Sequence, residues 1–445
     1  MRKPRIIPIV SLLCFILTTF TLTACSGPSK KSDEKQKLSV YIDIKDRNTL
    51  DLIRTFLDEY KKEKPNVELS MNSPLGNNKL EEDILKSSID VMFIPRNKML
   101  DLSSKGLLND MGQFYKKNKV SDKYYNIAAA YGRAGDKYYG IGLMPYSIEA
   151  IYNVQSLQKS NLGAPQNFKD FLGVIKQLNS TGTKIPVLLS DGIDIRNVIP
   201  AMVFSNTADV GQVEKNYGKD SASYSKLNLQ PVFDTLNSLV KQGGITENTF
   251  ESAGDGTVKR LVSGDVPLMI ALSSVTKDIK NAVNTSSSSS GGSSGGSSGG
   301  STGSSTGSTD PASKAGLGVL KSYDISNVTN SIPVVVNAVV SMPANTKNEE
   351  AINDLLDFIY NESTQKKLAE TGYVTANKSV NEKMWKSGVN KDIAGHLEKA
   401  DSTGIFYLYE FPEKYQTNVE SAAIDILKGK YTGTEWKDIV SKSSK

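Results

Sequence analysis

Cysteine and histidine are almost absent from this sequence: its 445 residues include two cysteines and one histidine. A zinc site built from several cysteine or histidine ligands is therefore excluded. A serine–histidine–aspartate catalytic arrangement would have to use His396, and residues 392–398 around it have the pattern of an ordinary surface helix. We therefore expect no catalytic centre, no metal site and no cofactor.

An excess of one charge is also missing. Lysine and arginine number 53 against 48 aspartates and glutamates, and the lysines are dispersed among acidic residues along helix-like segments. This distribution is typical of a solvated surface, and it predicts no nucleic-acid partner. Tryptophan is scarce as well. Trp385 and Trp436 are the two in the chain, and we expect both to be packing residues.

The N-terminus does carry a long apolar run. Arg2, Lys3 and Arg5 precede the largely apolar residues 6–22, and Leu-Thr-Ala-Cys follows at 22–25. This layout is typical of a secretory signal peptide over residues 1–24. Its cysteine makes it resemble a bacterial lipoprotein signal, which implies that Cys25 becomes the first mature residue and carries a lipid such as palmitate. A soluble secreted form and an uncleaved membrane anchor are the alternatives.

Removal of residues 1–24 would change the chemistry of the chain. Three basic and no acidic residues are lost, so the formal net charge falls from +5 to +2. Cys14 is lost too, so Cys25 has no cysteine partner for an intramolecular disulfide, and its lipidation leaves no free thiol. Residues 25–37 are polar, and we expect them to form a flexible tether.

The first part of the mature chain alternates strands and helices. Strand-like segments at 38–42, 67–71 and 91–94 are separated by helix-like segments, the first of them with Asn48 as its expected N-cap. This order predicts a doubly wound α/β layer, in which ligands gather at the carboxyl ends of the strands. Residues 43–47 and 95–98 occupy those ends.

A second α/β stretch covers residues 148–272, and the C-terminal part is mainly helical. Residues 285–309 are 25 consecutive serines, glycines and threonines, which should be disordered because they have no apolar side chain to bury. The segments on either side, 268–272 and 317–320, look like strands of one sheet. We therefore expect an inert insertion in a surface loop, with a spacer or a glycosylated tract as the alternative.

Several segments resemble, in the same order, motifs of the extracellular solute-binding proteins of sugar-type ABC importers, the family that includes maltose-binding protein. Residues 102–110 are similar to the family's L-x-x-K-G-L-L-x-D-L region, and residues 372–377 to its G-Y-L-P-A segment. The other segments with this resemblance are 90–95, 137–143, 150–153, 164–171, 262–270 and 345–351.

The resemblance implies an α/β fold of two lobes (a type II periplasmic-binding-protein-like fold), each a sheet flanked by helices, with the ligand cleft between them. We expect the N-terminal lobe to comprise residues 38–146 and about 265–362. The C-terminal lobe would comprise residues 147–264 and about 363–445.

The resemblance also implies a function. The protein is expected to be a monomer that captures a small solute, with a carbohydrate as the first expectation. It would deliver the solute to the membrane subunits of an ABC permease, from a lipid anchor at the outer face of the cell membrane. The alternative is a sensor of the same fold that signals to a membrane kinase.

Sugar recognition needs flat aromatic faces and polar groups for hydroxyls. We expect both at strand ends and at the segments that cross between the lobes. The candidates are Tyr41, Asp43, Arg96, Asn97, Tyr146, Ser147, Asp191, Ser273, Ser274, Asn337, Tyr407 and Tyr409. Each also has a structural alternative, such as a core tyrosine, a turn aspartate or a residue that only opens a helix.

One departure from the family pattern bears on the ligand. Val275 stands where the family commonly carries a stacking tryptophan. We therefore expect a cleft that relies on tyrosines and not on a tryptophan-rich oligosaccharide platform.

Overall fold

A computed structural model describes residues 36–72, 77–289, 310–325 and 331–444. The predicted signal peptide, the lipidation of Cys25 and most of the tether lie outside these residues. The last two residues predicted for the tether belong to the first strand, β1, which begins at Gln36 and not at Leu38. Among the described residues, no helix combines the length and the apolar character needed to cross a membrane.

The described strands fall into two main sheets and one short hairpin. In chain order they are β1 (Gln36–Ile42), β2 (Val67–Asn72), β3 (Val91–Ile94), β4 (Arg133–Ala134), β5 (Lys137–Tyr138), β6 (Ile141–Gly142), β7 (Tyr146–Asn153), β8 (Ile185–Leu188), β9 (Phe250–Ser252), β10 (Leu268–Leu272), β11 (Leu317–Val319), β12 (Val334–Val335) and β13 (Val339–Ser341).

The described helices flank these sheets. They are α1 (Arg47–Glu63), α2 (Asn77–Leu85), α3 (Arg96–Ser104), α4 (Gly112–Asn118), α5 (Val120–Lys123), α6 (Asn126–Tyr131), α7 (Val154–Lys159), α8 (Phe168–Ser180), α9 (Val198–Thr207), α10 (Val210–Lys215), α11 (Ser221–Ser225), α12 (Gln230–Gly243), α13 (Thr257–Ser263), α14 (Thr276–Ser289), α15 (Pro311–Lys314), α16 (Glu349–Tyr360), α17 (Glu362–Glu370), α18 (Lys378–Met384), α19 (Val389–Lys399), α20 (Glu413–Leu427) and α21 (Glu435–Ser443).

The first sheet has the strand order β2-β1-β3-β13-β6. Its first three strands are parallel, as the alternation of strands and helices predicts, and β13 joins them antiparallel to both β3 and β6. All four residues of β3 are buried because helices cover both faces of the sheet. The parallel strands point their carboxyl ends toward residues 43–47 and 95–98.

The second sheet has the order β11-β7-β10-β8-β9, with β12 also paired to β7. All eight residues of β7 are buried, and this strand pairs with β10, β11 and β12. Strands β10 and β11 both pair antiparallel with β7, which confirms that the segments flanking the serine-rich insert share one sheet.

The division of the chain between the lobes differs from the expectation in two segments. Residues 268–335, predicted for the N-terminal lobe, contribute β10, β11 and β12 to the second sheet. Residues 377–381, predicted for the C-terminal lobe, contact the first lobe instead, since Asn377 bridges to Tyr124 and the Asn381 amide donates to the Tyr125 hydroxyl. Local periodicity does not reveal these pairings, because they are set by long-range packing.

The chain therefore crosses between the lobes at three places. The first crossing links β6 to β7, the second links β12 to β13, and the third links α18 to α19. Helix α19 packs on β7 and β11, and α20 and α21 pack on α12, so the C-terminal helices complete the second lobe. The first two crossings lie side by side, because β12 pairs with the start of β7.

Two smaller expectations also need correction. The insert was predicted to be disordered from Thr285, but residues 285–289 continue α14, and residues 290–309 lie outside the described part of the chain. The first helix begins at Arg47 with Asp46 as its N-cap, two residues before the expected Asn48. Asn167 does cap α8, since its side chain accepts the Asp170 N–H at 2.9 Å.

Candidate functional site

A small cavity of about 60 Å³ lies between the two lobes. Its walls come from the start of α1 in the first lobe, from the ends of β8 and β10 and the start of α14 in the second, and from the crossing segments. The lining residues are Asp46, Asn48, Tyr146, Leu188, Leu189, Ser190, Leu272, Ser274, Lys277, Asp278, Asn337 and Tyr373. The position matches the rule that ligands bind at the carboxyl ends of strands in α/β sheets.

Two tyrosines form an aromatic wall of this cavity. Tyr146 at the start of β7 and Tyr373 stack with ring centroids 6.4 Å apart and planes inclined by 28°. The ammonium of Lys277 lies 5.4 Å from the centroid of the Tyr373 ring. Burial raises the pKa of Tyr373 to about 12, and the nearby carboxylates of Asp278 and Asp46 add to this rise. Both phenols therefore stay neutral and offer a flat face and a hydroxyl.

Asp46 forms the first-lobe side of the cavity. As the N-cap of α1, its Oδ2 accepts the Thr49 N–H at 2.8 Å and the Thr49 hydroxyl at 2.6 Å. Its Oδ1 accepts the N–H of Asp191, at 3.1 Å, from the other lobe. The Asp46 carboxylate thus caps the N-terminus of α1 and also accepts a hydrogen bond from across the cleft, although its side chain is almost completely buried.

Asn337 lies on the crossing segment between β12 and β13. Its amide nitrogen donates to the Thr49 hydroxyl at 3.1 Å and to the Ser190 hydroxyl at 2.7 Å. Thr49 belongs to the first lobe, whereas Ser190 follows β8 in the second. The base of the cavity is therefore a chain of polar groups that connects both lobes.

The structure places four of the predicted site residues at this cleft. Tyr146, Ser274 and Asn337 line the cavity, and Asp191 borders it through its bonds to Asp46 and to the N–H of Arg47. These residues come from distant parts of the sequence, and they were predicted together because each lies at a strand end or at a crossing segment.

Tyr41 and Asp43 lie away from the cavity. Tyr41 is fully buried in β1, with the ammonium of Lys98 5.8 Å from its ring centroid. Asp43 forms an ion pair with the same Lys98. Asn97, in the same helix α3 as Lys98, is half-buried and does not line the cavity.

Arg96 is buried, and its guanidinium makes structural hydrogen bonds. Its side chain is 1 % exposed, and one guanidinium nitrogen donates to the carbonyls of Ala130, Tyr131 and Arg133. The other nitrogen donates to Glu214 of α10 at 3.1 Å. The guanidinium is therefore occupied in joining the two lobes and is not directed into the cavity.

The remaining candidates pack in the protein interior. Ser147 is fully buried, its N–H donates to the Ser273 hydroxyl, and its own hydroxyl donates to Glu149. Tyr407 is buried against Phe204 and its hydroxyl donates to Asn197. Tyr409 is half-buried and packs edge-on against Tyr131. Burial raises the pKa of Tyr409, with a further contribution from Asp46.

His396 is not the surface residue that its helix pattern predicts. Its Nδ1 lies 3.1 Å from both carboxylate oxygens of Glu149, which is fully buried on β7 and also accepts from the Tyr323 hydroxyl at 3.0 Å. Burial opposes protonation of His396, but Glu149 outweighs it, so the pKa of His396 is raised. This network holds α19 on β7, away from the cavity.

Sequence reasoning missed several cavity residues. Tyr373 lies in the segment 372–377 that carried the family resemblance, so the motif marked the correct place without marking the residue. Asp46 lies in the strand-end segment 43–47, where ligand-binding residues are expected from the order of strands and helices. Lys277 and Asp278 carried no signal, because the first turn of α14 has no feature that distinguishes it from other helix starts.

Comparison with known families gives a direct assignment. The family model of the bacterial extracellular solute-binding proteins matches residues 55–394, which is most of the chain. The chain belongs to this family. Comparison with the curated protein sequences gives no match.

Solved structures agree with the two-lobed fold of this solute-binding protein. A chitin oligosaccharide binding protein is similar with a TM-score of 0.62 at 14% identity, over 92% of this chain and 98% of that chain. The sugar-binding protein MalE of Xanthomonas citri has a TM-score of 0.62 at 9% identity, over 92% and 96%. A cyclo/maltodextrin-binding protein complexed with maltotetraose has a TM-score of 0.60 at 18% identity, over 94% of this chain and 98% of that chain. At these identities the likeness establishes the fold.

Proposed function

We propose that this protein is the substrate-binding component of an ABC importer, and that it captures a carbohydrate between its lobes and delivers it to a membrane permease. We further propose that it acts as a monomer, anchored by a lipid on Cys25 to the outer face of the cell membrane. The observation that carries the binding role is the interlobe cavity, where the Tyr146–Tyr373 pair faces polar groups of both lobes.

The chemistry of the cavity suits a sugar. A pyranose has one apolar face, which packs on an aromatic ring, and a rim of hydroxyls, which need donors and acceptors. The tyrosine pair supplies the first, and Asn48, Ser190, Ser274 and Asn337 supply the second. Three of the structural neighbours are named as sugar-binding or oligosaccharide-binding proteins, which supports the same ligand class.

Binding requires the lobes to move. The cavity of about 60 Å³ is far smaller than the roughly 300–1,000 Å³ of typical small-molecule sites. A solute therefore enters when the lobes separate about the three crossing segments, and their return encloses it. Hinge closure around a ligand is a common mechanism in two-lobed proteins.

The experiment is a thermal-unfolding screen of the purified protein against mono- and oligosaccharides. A solute at one hundred times its dissociation constant stabilises the folded protein by about 2.7 kcal/mol, which raises the melting temperature. We expect Tyr373→Ala to abolish this rise because the aromatic wall is lost. Tyr138→Ala is the matched control, since Tyr138 stacks on Tyr115 with centroids 4.1 Å apart and does not line the cavity.

Several results would contradict the proposal. A broad panel without any stabilisation would remove the sugar assignment, and turnover of a glycoside would show an enzyme instead of a binding protein. Permease genes beside the coding gene would support import, whereas a histidine-kinase gene there would favour the sensor.

A further inference from the structure

Besides the bond between Arg96 and Glu214, a group of four hydrogen bonds links the two lobes at the cavity, two of them directly and two through Asn337. The Asp191 N–H donates to Asp46 Oδ1 at 3.1 Å, and the Arg47 N–H donates back to Asp191 Oδ2 at 3.3 Å. The Asn337 amide donates to Thr49 of the first lobe and to Ser190 of the second, so it links the two lobes from the crossing segment. All the first-lobe partners lie at the start of α1, and both second-lobe partners follow β8. The contacts are thus concentrated on one helix start and one strand end.

The partners on the first-lobe side are fixed in place, and Ser190 on the second-lobe side is buried. Asp46 is fixed by its bonds to Thr49, and Asp46, Thr49 and Ser190 are each less than 10 % exposed. Helix α1 is anchored in the first lobe by buried residues such as Ile53 and Phe56. Because α1 moves with the first lobe, these bonds form only when the lobes are close together, and they break when the lobes separate.

We propose that Asp46, Arg47, Thr49, Ser190, Asp191 and Asn337 form an interlobe latch that holds the lobes closed through protein–protein bonds. The latch adds to the bond between Arg96 and Glu214 and shifts the equilibrium toward the closed form in the protein alone. Since a net hydrogen bond contributes about 0.5–1.5 kcal/mol, loss of one bond shifts the equilibrium about two- to tenfold toward the open form.

The latch has a consequence for solute binding, and this part rests on the proposed function. A solute that enters the open cleft must compete with the closed, latched form, so its apparent affinity is reduced by the fraction of molecules that are open. Release of the latch by Asp191→Ala is therefore expected to make solute association faster. The Asp191 side chain is exposed and does not line the cavity, so its removal changes the equilibrium between open and closed forms without changing the aromatic wall.

The test measures the distance between the lobes in the absence of added solute. Spin labels are placed at Asp51→Cys in α1 and at Asp255→Cys beyond β9, both exposed positions, in the full chain with Cys14 and Cys25 replaced by serine. Pulsed electron paramagnetic resonance then gives the distance distribution. We expect one dominant short distance, and a longer second population in Asp191→Ala and in Asn337→Ala.

The control is Asp209→Ala. Asp209 caps α10 within the second lobe by accepting the Gln212 N–H, and it makes no contact across the cleft. Its distribution should equal that of the unsubstituted chain. The proposal is overturned if the unsubstituted chain shows only a broad open distribution, or if Asp191→Ala and Asn337→Ala both leave the distribution unchanged. A negative sugar screen would leave this result standing, because no solute is used.

Discussion

Glu410 is a buried carboxyl that, in the part of the chain that the structure describes, has no cationic partner within hydrogen-bonding distance. It is 1 % exposed, and Arg96 Nη2 is 3.9 Å from its Oε1, too far for a hydrogen bond. Among the described residues, that oxygen has no hydrogen-bond partner. Burial raises the pKa of Glu410 to about 7, and Glu214 adds to the rise while Arg96 and Arg133 oppose it. Near neutral pH this carboxyl therefore exists in both forms.

Because the pKa of Glu410 is raised in the folded protein, we expect the free energy of unfolding to decrease as the pH rises. The folded protein holds a proton on Glu410 up to about pH 7, whereas the unfolded chain releases it near 4.5. The stabilisation is complete below pH 4.5 and is lost as the pH rises through 7, at an upper limit of about 3 kcal/mol. We expect Glu410→Gln to remove this dependence. Urea unfolding between pH 4.5 and 8 measures it.

The control for this prediction is Glu413→Gln. Glu413 is an exposed residue at the start of α20, close in sequence to Glu410. The two variants differ in the burial of the removed carboxyl. Equal slopes of unfolding free energy against pH in the unsubstituted chain and in Glu410→Gln would show that Glu410 is ionised in the folded protein throughout this range.

At the residue scale, the sequence predicted the region of the interlobe cavity better than the individual residues that line it. Tyr146, Ser274 and Asn337 were recognised because they stand at strand ends and crossings. Arg96 meets the same criterion, but its guanidinium binds three backbone carbonyls instead. Sequence position gives the edge of a sheet at which a residue lies, whereas the direction of its side chain depends on distant partners.

At the scale of elements, the local sequence pattern predicted which segments form helices and strands, but it did not predict which strands pair with each other. The strand over 91–94 and the helix after Asn167 occur where periodicity and capping predict them. The placement of β10 and β11 in the second sheet was missed, since their partner β7 lies more than 100 residues away in sequence. Strand pairing at such separation is decided by the packing of the whole lobe.

The shared sheet of β10 and β11 leads to a prediction about the insert between them. Helices α14 and α15, which flank the insert, contact each other. Deletion of residues 292–307 therefore shortens a connection within one lobe, and we expect the unfolding free energy to rise by about 1 kcal/mol as the loop-closure cost falls. Urea unfolding of the deleted chain measures this change.

A shuffled order of residues 292–307 serves as the control for the deletion. It keeps the length and the composition of the insert and should leave stability and solute binding unchanged. Loss of folding on deletion, or a loss of binding in the shuffled chain, would show that the insert has a specific role.

At the scale of the whole molecule, the proposed anchor on Cys25 gives a further prediction. Cys25→Ser should move the protein from the membrane fraction to the soluble extracytoplasmic fraction, because the lipid acceptor is lost. Cys14→Ser is the matched control, since Cys14 lies inside the proposed signal peptide. Fractionation followed by immunoblotting measures the distribution. Membrane retention of Cys25→Ser would favour an uncleaved anchor.

The position of β13 determines when the protein can finish folding during synthesis. This strand lies between β3 and β6 in the first sheet, although its residues, Val339–Ser341, come almost 200 positions after β6. During synthesis, which begins at the N-terminus, the first sheet therefore lacks its fourth strand until about three quarters of the chain has been made. The edges of β3 and β6 that pair with β13 stay unpaired for that time, so the first lobe cannot complete its sheet before about three quarters of the chain has been synthesised.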